Sequence, residues 1–163
     1  MTESSDPEAV ARLICLQQLE RKSRTRAELA ETLRRREVPD AAAKTVLDRF
    51  TEVGLIDDAA YAQQWVEQRH RSHGSTRRAL AGELRRKGVN PDTIAEATSQ
   101  LDDQAEERAA RGLVARKLRS LQRYDDATRT RRLVGMLARK GYSASLAYRV
   151  VSQELGGDGV ADG

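Results

Sequence analysis

Three kinds of side chain in this sequence could do chemistry, and only one is arranged to do it. His70 and His73 flank Arg71-Ser72, but no cysteine or further histidine lies near enough in sequence to complete a metal site. The carboxylate pairs Asp57-Asp58, Asp102-Asp103 and Asp125-Asp126 each fall before or at the expected start of a helix. Capping explains them better than acid–base work, because acidic residues in a first turn complement the helix dipole. Glycine-rich phosphate loops are missing: Gly156-Gly157 is followed by no Lys-Ser/Thr pair. The expectation is no enzyme, no metal and no cofactor.

The third kind is arginine. Arg69, Arg71, Arg77, Arg78, Arg85, Arg86 and Lys87 crowd one stretch, with Glu83 the only acid among them. Further on come Arg116, Lys117 and Arg119, then Arg129, Arg131 and Arg132, then Arg139 and Lys140. Guanidinium forks match phosphate oxygens bidentately, so cations spaced along a surface can track a nucleic-acid backbone. These fifteen are the candidate nucleic-acid-binding residues. Arg77-Arg78 and Arg129-Arg131-Arg132 are singled out because they are expected at helix starts, where the dipole disfavours cations and something anionic should compensate. Arg34-Arg35-Arg36 sits among acids and reads as a solvated helix end. Aromatic residues do not interleave with the cations as a stacking platform requires. Tyr61 and Trp65, four apart, read as core, and Tyr142 and Tyr148 as packing of the last helices.

Composition says where such a surface would lie. The net charge is +4, yet residues 1–60 carry 10 Lys+Arg against 12 Asp+Glu. Residues 61–101 carry 7 against 4, and residues 102–163 carry 12 against 9, so the positive field belongs to the later parts. Arginine outnumbers lysine 24 to 5, which a GC-rich genome produces without any selection for binding. Cys15 is the single cysteine, so no disulfide forms within the chain, and its apolar neighbours suit a buried thiol. No apolar run approaches the roughly 20 residues of a membrane span. MTESSDPEAV is unlike a signal peptide, so the expected location is cytoplasmic.

The elements that position these cations repeat. Leu29-x3-Leu33-Arg-Arg-Arg-Glu-Val38 matches Leu80-x3-Leu84-Arg-Arg-Lys-Gly-Val89 and Leu133-x3-Leu137-Ala-Arg-Lys-Gly-Tyr142. In each copy the leucine pair gives one apolar stripe, and basic residues fill the last turn. Gly88 and Gly141 supply a left-handed stop; Glu37 takes that place in the first copy, so its cap must differ or be strained. Thr25, Ser75 and Thr128 are the expected N-caps, and Pro39 and Pro91 suit the first turn of the following helix.

A second helix follows each copy, carrying Val46, Phe50 and Val53, then Ile94, Ala97 and Leu101, then Leu146, Val150 and Val151. A further helix precedes each, from Asp6-Pro7-Glu8 to about Arg21, from Asp57-Asp58 to near Arg71, and from Asp102-Asp103 to about Leu121. On the first of these Val10, Leu13, Ile14 and Leu16 are the apolar residues. The expected fold is therefore all-α: three tandem three-helix repeats stacked into an elongated, curved array. The boundaries read as 1–8 flexible, 9–56, 57–101 and 102–155 for the repeats, and 156–163 a disordered tail.

Gly54-Leu55-Ile56-Asp57-Asp58-x-x-Tyr61-Ala62, with Trp65-Val66 and Arg69 behind it, resembles the signature of RecX regulatory proteins. Gly74 to Val89 and Leu137-Ala-Arg-Lys-Gly-Tyr142-Ser143 resemble that family too, so the likeness runs from about residue 9 to 155. The resemblance implies a negative regulator that binds RecA and its filament on single-stranded DNA. Such proteins suppress strand exchange, ATP hydrolysis and co-protease activity, in recombination, DNA repair and the SOS response. It also implies DNA binding, to single strands first and double strands second, by a monomer that needs no membrane. The matched positions are mainly structural, so the resemblance transfers no individual contact residues. A free-standing helical DNA-binding regulator is the alternative; its dimer interface and base-reading recognition helix are not visible in the sequence.

Overall fold

The computed structural model describes residues 6–156, and the expectations for residues 1–5 and 157–163 lie outside it. Among the described residues there are nine α-helices and no strand. They are α1 (Pro7–Arg21), α2 (Arg26–Arg35), α3 (Asp40–Glu52), α4 (Asp58–His73), α5 (Arg77–Arg86), α6 (Pro91–Thr98), α7 (Asp103–Leu118), α8 (Asp126–Arg139) and α9 (Ala144–Gly156). Helix α1 begins at Pro7, inside the stretch to residue 8 expected to be flexible, and Gly156 of the expected tail is helical.

Packing groups the chain into two compact units. One unit comprises the chain up to Trp65 together with Gly82–Ala97; the other comprises Val66–Ala81 and the chain from Thr98 onward. The middle repeat is thus shared, because α4 and α5 each contribute one half to either unit.

In the first unit Ala11, Ile14 and Cys15 of α1, Leu29 and Leu33 of α2, and Val46, Leu47 and Phe50 of α3 form one buried cluster. Each fully buried large side chain stabilises by about 1.5–3 kcal/mol. The face that α1 buries is not the one its large residues mark: Val10, Leu13 and Leu16 are exposed. Small Ala11 and Cys15, both 0% exposed, turn inward. Val53 is likewise exposed. Burial pushes the Cys15 thiol up to about 11, so almost no thiolate exists near neutral pH. Alkylation of the native protein at pH 8 is expected to be far slower than after denaturation; equal rates would show Cys15 to be accessible.

In the second unit Ala110 and Val114 of α7, Leu133 and Leu137 of α8, and Ala147, Val150 and Val151 of α9 are buried together. Tyr142 packs with them, and its hydroxyl donates to the Gly74 carbonyl at 2.7 Å. Tyr148, expected to pack, is instead exposed.

The caps depart from the sequence expectation in detail. Thr25 caps α2 in a full capping box with Glu28. For α5 the cap is Thr76, which accepts from Ala79 N, and not Ser75. For α8 it is Asp125, which accepts from Thr128 N, and not Thr128 itself. Helix α8 therefore starts earlier, and Arg129, Arg131 and Arg132 lie beyond its first residues. Pro39 precedes the first residue of α3, whereas Pro91 does open α6.

All three repeats end their first helix of the pair in the same way. Val38, Val89 and Tyr142 donate backbone N–H bonds to Leu33, Leu84 and Leu137, at 3.0, 3.1 and 3.1 Å. The residue in between is left-handed each time: Glu37 (φ 62°), Gly88 (φ 81°) and Gly141 (φ 101°). The first copy has kept the cap and accepted the strain.

Candidate nucleic-acid surface

The second unit carries 16 Lys+Arg against 10 Asp+Glu, a net of +6; the first carries 13 against 15, a net of −2. Tertiary structure then sorts the fifteen candidate cations into two groups.

Six are held by the protein itself. Arg77 has the anion that its place at a helix start called for: Glu106 accepts from its backbone N at 2.8 Å and from Nε at 3.1 Å, and Asp103 pairs with Nη2. The Asp103 hydrogen bond first, and Glu106 with it, raise its pKa above the ordinary arginine value. Arg129 donates to the carbonyls of Leu121 and Gln122, at 3.0 and 2.6 Å, and pairs with Asp126. Lys140 Nζ donates to the His73 carbonyl at 2.7 Å. Arg69 reaches His73 at 3.5 Å. Lys87 stands 4.4 Å over the Trp65 ring and 3.7 Å from Glu28. Arg132 lies over the Tyr124 ring at 4.3 Å.

Nine have neither a side-chain hydrogen bond nor an ion pair among the described residues: Arg71, Arg78, Arg85, Arg86, Arg116, Lys117, Arg119, Arg131 and Arg139. Seven of them belong to the second unit, all but Arg85 and Arg86. Cations without internal partners keep their full charge for a ligand, and their binding to phosphate requires no internal bond to break.

The aromatics also depart from expectation. Tyr61 and Trp65 are half-buried rather than core, with ring centroids 6.0 Å apart and near-parallel planes. Burial raises the Tyr61 pKa, with Lys87 opposing. Tyr124 lies between Arg123 and Arg132; Arg123 donates to its hydroxyl at 2.7 Å and lowers its pKa. The sequence pattern hides these cation–aromatic pairs, except for the adjacency of Arg123 and Tyr124.

On the first unit the exposed apolar residues Val10, Leu13 and Leu16 form one face of α1, opposite the buried Ala11 and Cys15. Among the described residues no cluster of three His, Cys, Asp or Glu could hold a metal ion, and no helix is long and apolar enough to cross a membrane.

Known proteins show the same plan. Family models described as the first, second and third three-helix domains of RecX match residues 11–50, 57–97 and 105–151. A protein from Streptomyces coelicolor named "Regulatory protein RecX" is 58% identical over 154 residues, covering 94% of this chain and 82% of its own length. One of the same name from Thermobifida fusca is 53% identical over 152 residues, with 93% and 82% covered. The crystal structure of RecX from Lactobacillus salivarius superposes with a TM-score of 0.80 at 17% identity, covering 91% of this chain and 97% of its own. At that identity it bears on the fold alone, which is an all-α tandem array of three-helix domains. With three domain matches in order and relatives more than half identical over nearly its full length, this chain belongs to the RecX family of regulatory proteins.

Proposed function

We propose that this chain is a negative regulator of RecA. In this reading it binds RecA and RecA–single-stranded DNA filaments and suppresses strand exchange, ATP hydrolysis and co-protease activity. Family membership carries the regulatory part. The observation that carries the nucleic-acid part is the charge of the second unit, net +6 against −2 in the first, in which seven of the nine candidate cations without side-chain partners lie. Phosphate binding by such side chains is sequence-independent and salt-sensitive. The first unit, net negative and with an exposed apolar face on α1, is the protein-facing half of this division of labour. No enzymatic step is assigned, and its action is binding.

Titrating the chain into RecA hydrolysing ATP on single-stranded DNA is the test, and hydrolysis is expected to fall as the chain approaches stoichiometry with RecA. Unchanged hydrolysis would sink the reading. A free-standing regulator that ignores RecA would instead bind one duplex sequence far more tightly than random DNA.

A further inference from the structure

We propose that a cleft within the second unit, between the last turns of α4 and the length of α7, is a docking site for successive phosphates of one nucleic-acid strand, with Arg108 as a contact residue alongside Arg71 and Arg116. This deepens the proposed function and rests on its nucleic-acid part. The cleft measures about 410 Å³ and is bordered by His70, Arg71 and Gly74 on one side and by Arg108, Gly112 and Arg116 on the other.

Three features point to that ligand. The first is charge without compensation. Arg71, Arg108 and Arg116 are exposed, and no side chain of the three has a hydrogen bond or ion pair among the described residues. The acids of α7 that could neutralise them are occupied elsewhere: Glu106 by Arg77, and Glu107 by Arg111 and Arg149. The second is span. Arg108 and Arg116 are two turns apart on α7, about 12 Å along its axis. A single phosphate is too small to satisfy both, whereas a chain of phosphodiesters passes each in turn. The third is the floor, made of Ala105, Ala109 and Gly112. Small residues let a backbone approach the helix closely, while no Phe, Tyr or Trp lines the cleft to stack a base. His70 borders it with Nδ1 bonded to the Ser75 carbonyl at 2.9 Å, which fixes the ring. The strand is therefore held by its backbone, blind to base sequence.

The test uses the full chain and a fluorescent homopolymeric deoxythymidine oligonucleotide, without RecA, over a range of salt. Replacing Arg108 and Arg116 by Ser should lower the slope of log affinity against log salt by roughly 0.7 for each phosphate no longer neutralised. Gly112→Gln fills the floor while leaving the charge unchanged; a Cβ on Gly112 would meet Arg116 Nη1 at 3.6 Å, an ordinary van der Waals contact, so the backbone there accommodates a side chain. This variant should weaken binding at every salt concentration, an effect that net charge alone does not produce. Inorganic tripolyphosphate should compete only weakly, because it cannot extend past both arginines. Full affinity in Gly112→Gln, or an unchanged slope in the double serine variant beside a reduced one in Arg131→Ser/Arg139→Ser, would overturn the cleft and leave the broader reading standing. Competition by tripolyphosphate as strong as by the oligonucleotide would also overturn it, pointing to a small polyphosphate instead. Absence of any oligonucleotide binding by the unaltered chain would remove the nucleic-acid reading and the cleft with it.

Discussion

Gly88→Ala is expected to destabilise the protein by about 2–4 kcal/mol, while Glu37→Gly, at the equivalent turn, is expected to leave stability level or raise it by up to about 1 kcal/mol. Both turns end a helix with a left-handed residue, but they differ in what lies against them. A Cβ on Gly88 would fall 2.2 Å from the Ala27 Cβ, and one on Gly141 would fall 2.3 Å from Thr76 Oγ1 and 2.9 Å from the Ala79 Cβ. In each case the turn of one repeat is seated on the helix start of the repeat before it. The seat is bonded as well. Thr25 Oγ1 donates to the Lys87 carbonyl at 2.7 Å, and Thr76 N donates to the Lys140 carbonyl at 3.3 Å. Glu37 is exposed, and no helix start donates a backbone bond to the preceding Arg36 carbonyl among the described residues. Only the backbone strain remains there, and a β-carbon is tolerated.

Chemical denaturation of the single variants and of Ala27→Gly/Gly88→Ala checks this. Removing the Ala27 methyl clears the clash, since the next atom, Ala27 Cα, lies 3.7 Å from the added Cβ. The double variant should therefore be more stable than additivity predicts. Strict additivity would mean that only the φ angle matters.

Replacing Arg78, Arg131 and Arg139 by Ser is expected to flatten the salt dependence of single-stranded DNA binding by roughly 2 slope units, with little change in melting temperature. Arg77→Ser should do the reverse. Its guanidinium pairs with Asp103 and Glu106, and its removal leaves half-buried Glu106 with only the bond from the backbone N of residue 77. Breaking such a partly buried, charge-assisted hydrogen bond costs about 1–3 kcal/mol, so the stability falls while the salt slope stays near its original value. Arg77 and Arg78 are neighbours in sequence and opposites in role. Equal effects of the two on the salt slope would show that internal pairing does not decide which cations reach DNA.

That pair also marks the limit of what is legible in the sequence. The spacing of the leucines places α2, α5 and α8, because Leu29, Leu33, Leu80, Leu84, Leu133 and Leu137 all bury. The caps are less legible because neighbouring polar residues are almost equally good: Thr76 beside Ser75, and Asp125 three residues ahead of Thr128. On α1 the largest apolar residues mark the expected packed side, whereas close helix approach selects small Ala11 and Cys15 and leaves Leu13 outside. The anion expected near Arg77 is a pair of carboxylates 26 and 29 residues away, on a helix whose position no local pattern encodes. Arg108 is hidden for the same reason. It is isolated in sequence, and only the fold brings it to the cleft that Arg71 and Arg116 border.

The division of labour between the two units is tested most directly by photo-crosslinking. RecA filaments assembled on photoreactive single-stranded DNA would be incubated with the chain, irradiated and digested to map the adducts. DNA adducts are expected within residues 66–81 and 98–156, and RecA adducts on α1 in the first unit. DNA adducts concentrated in residues 6–65, with the second unit untouched, would contradict the account.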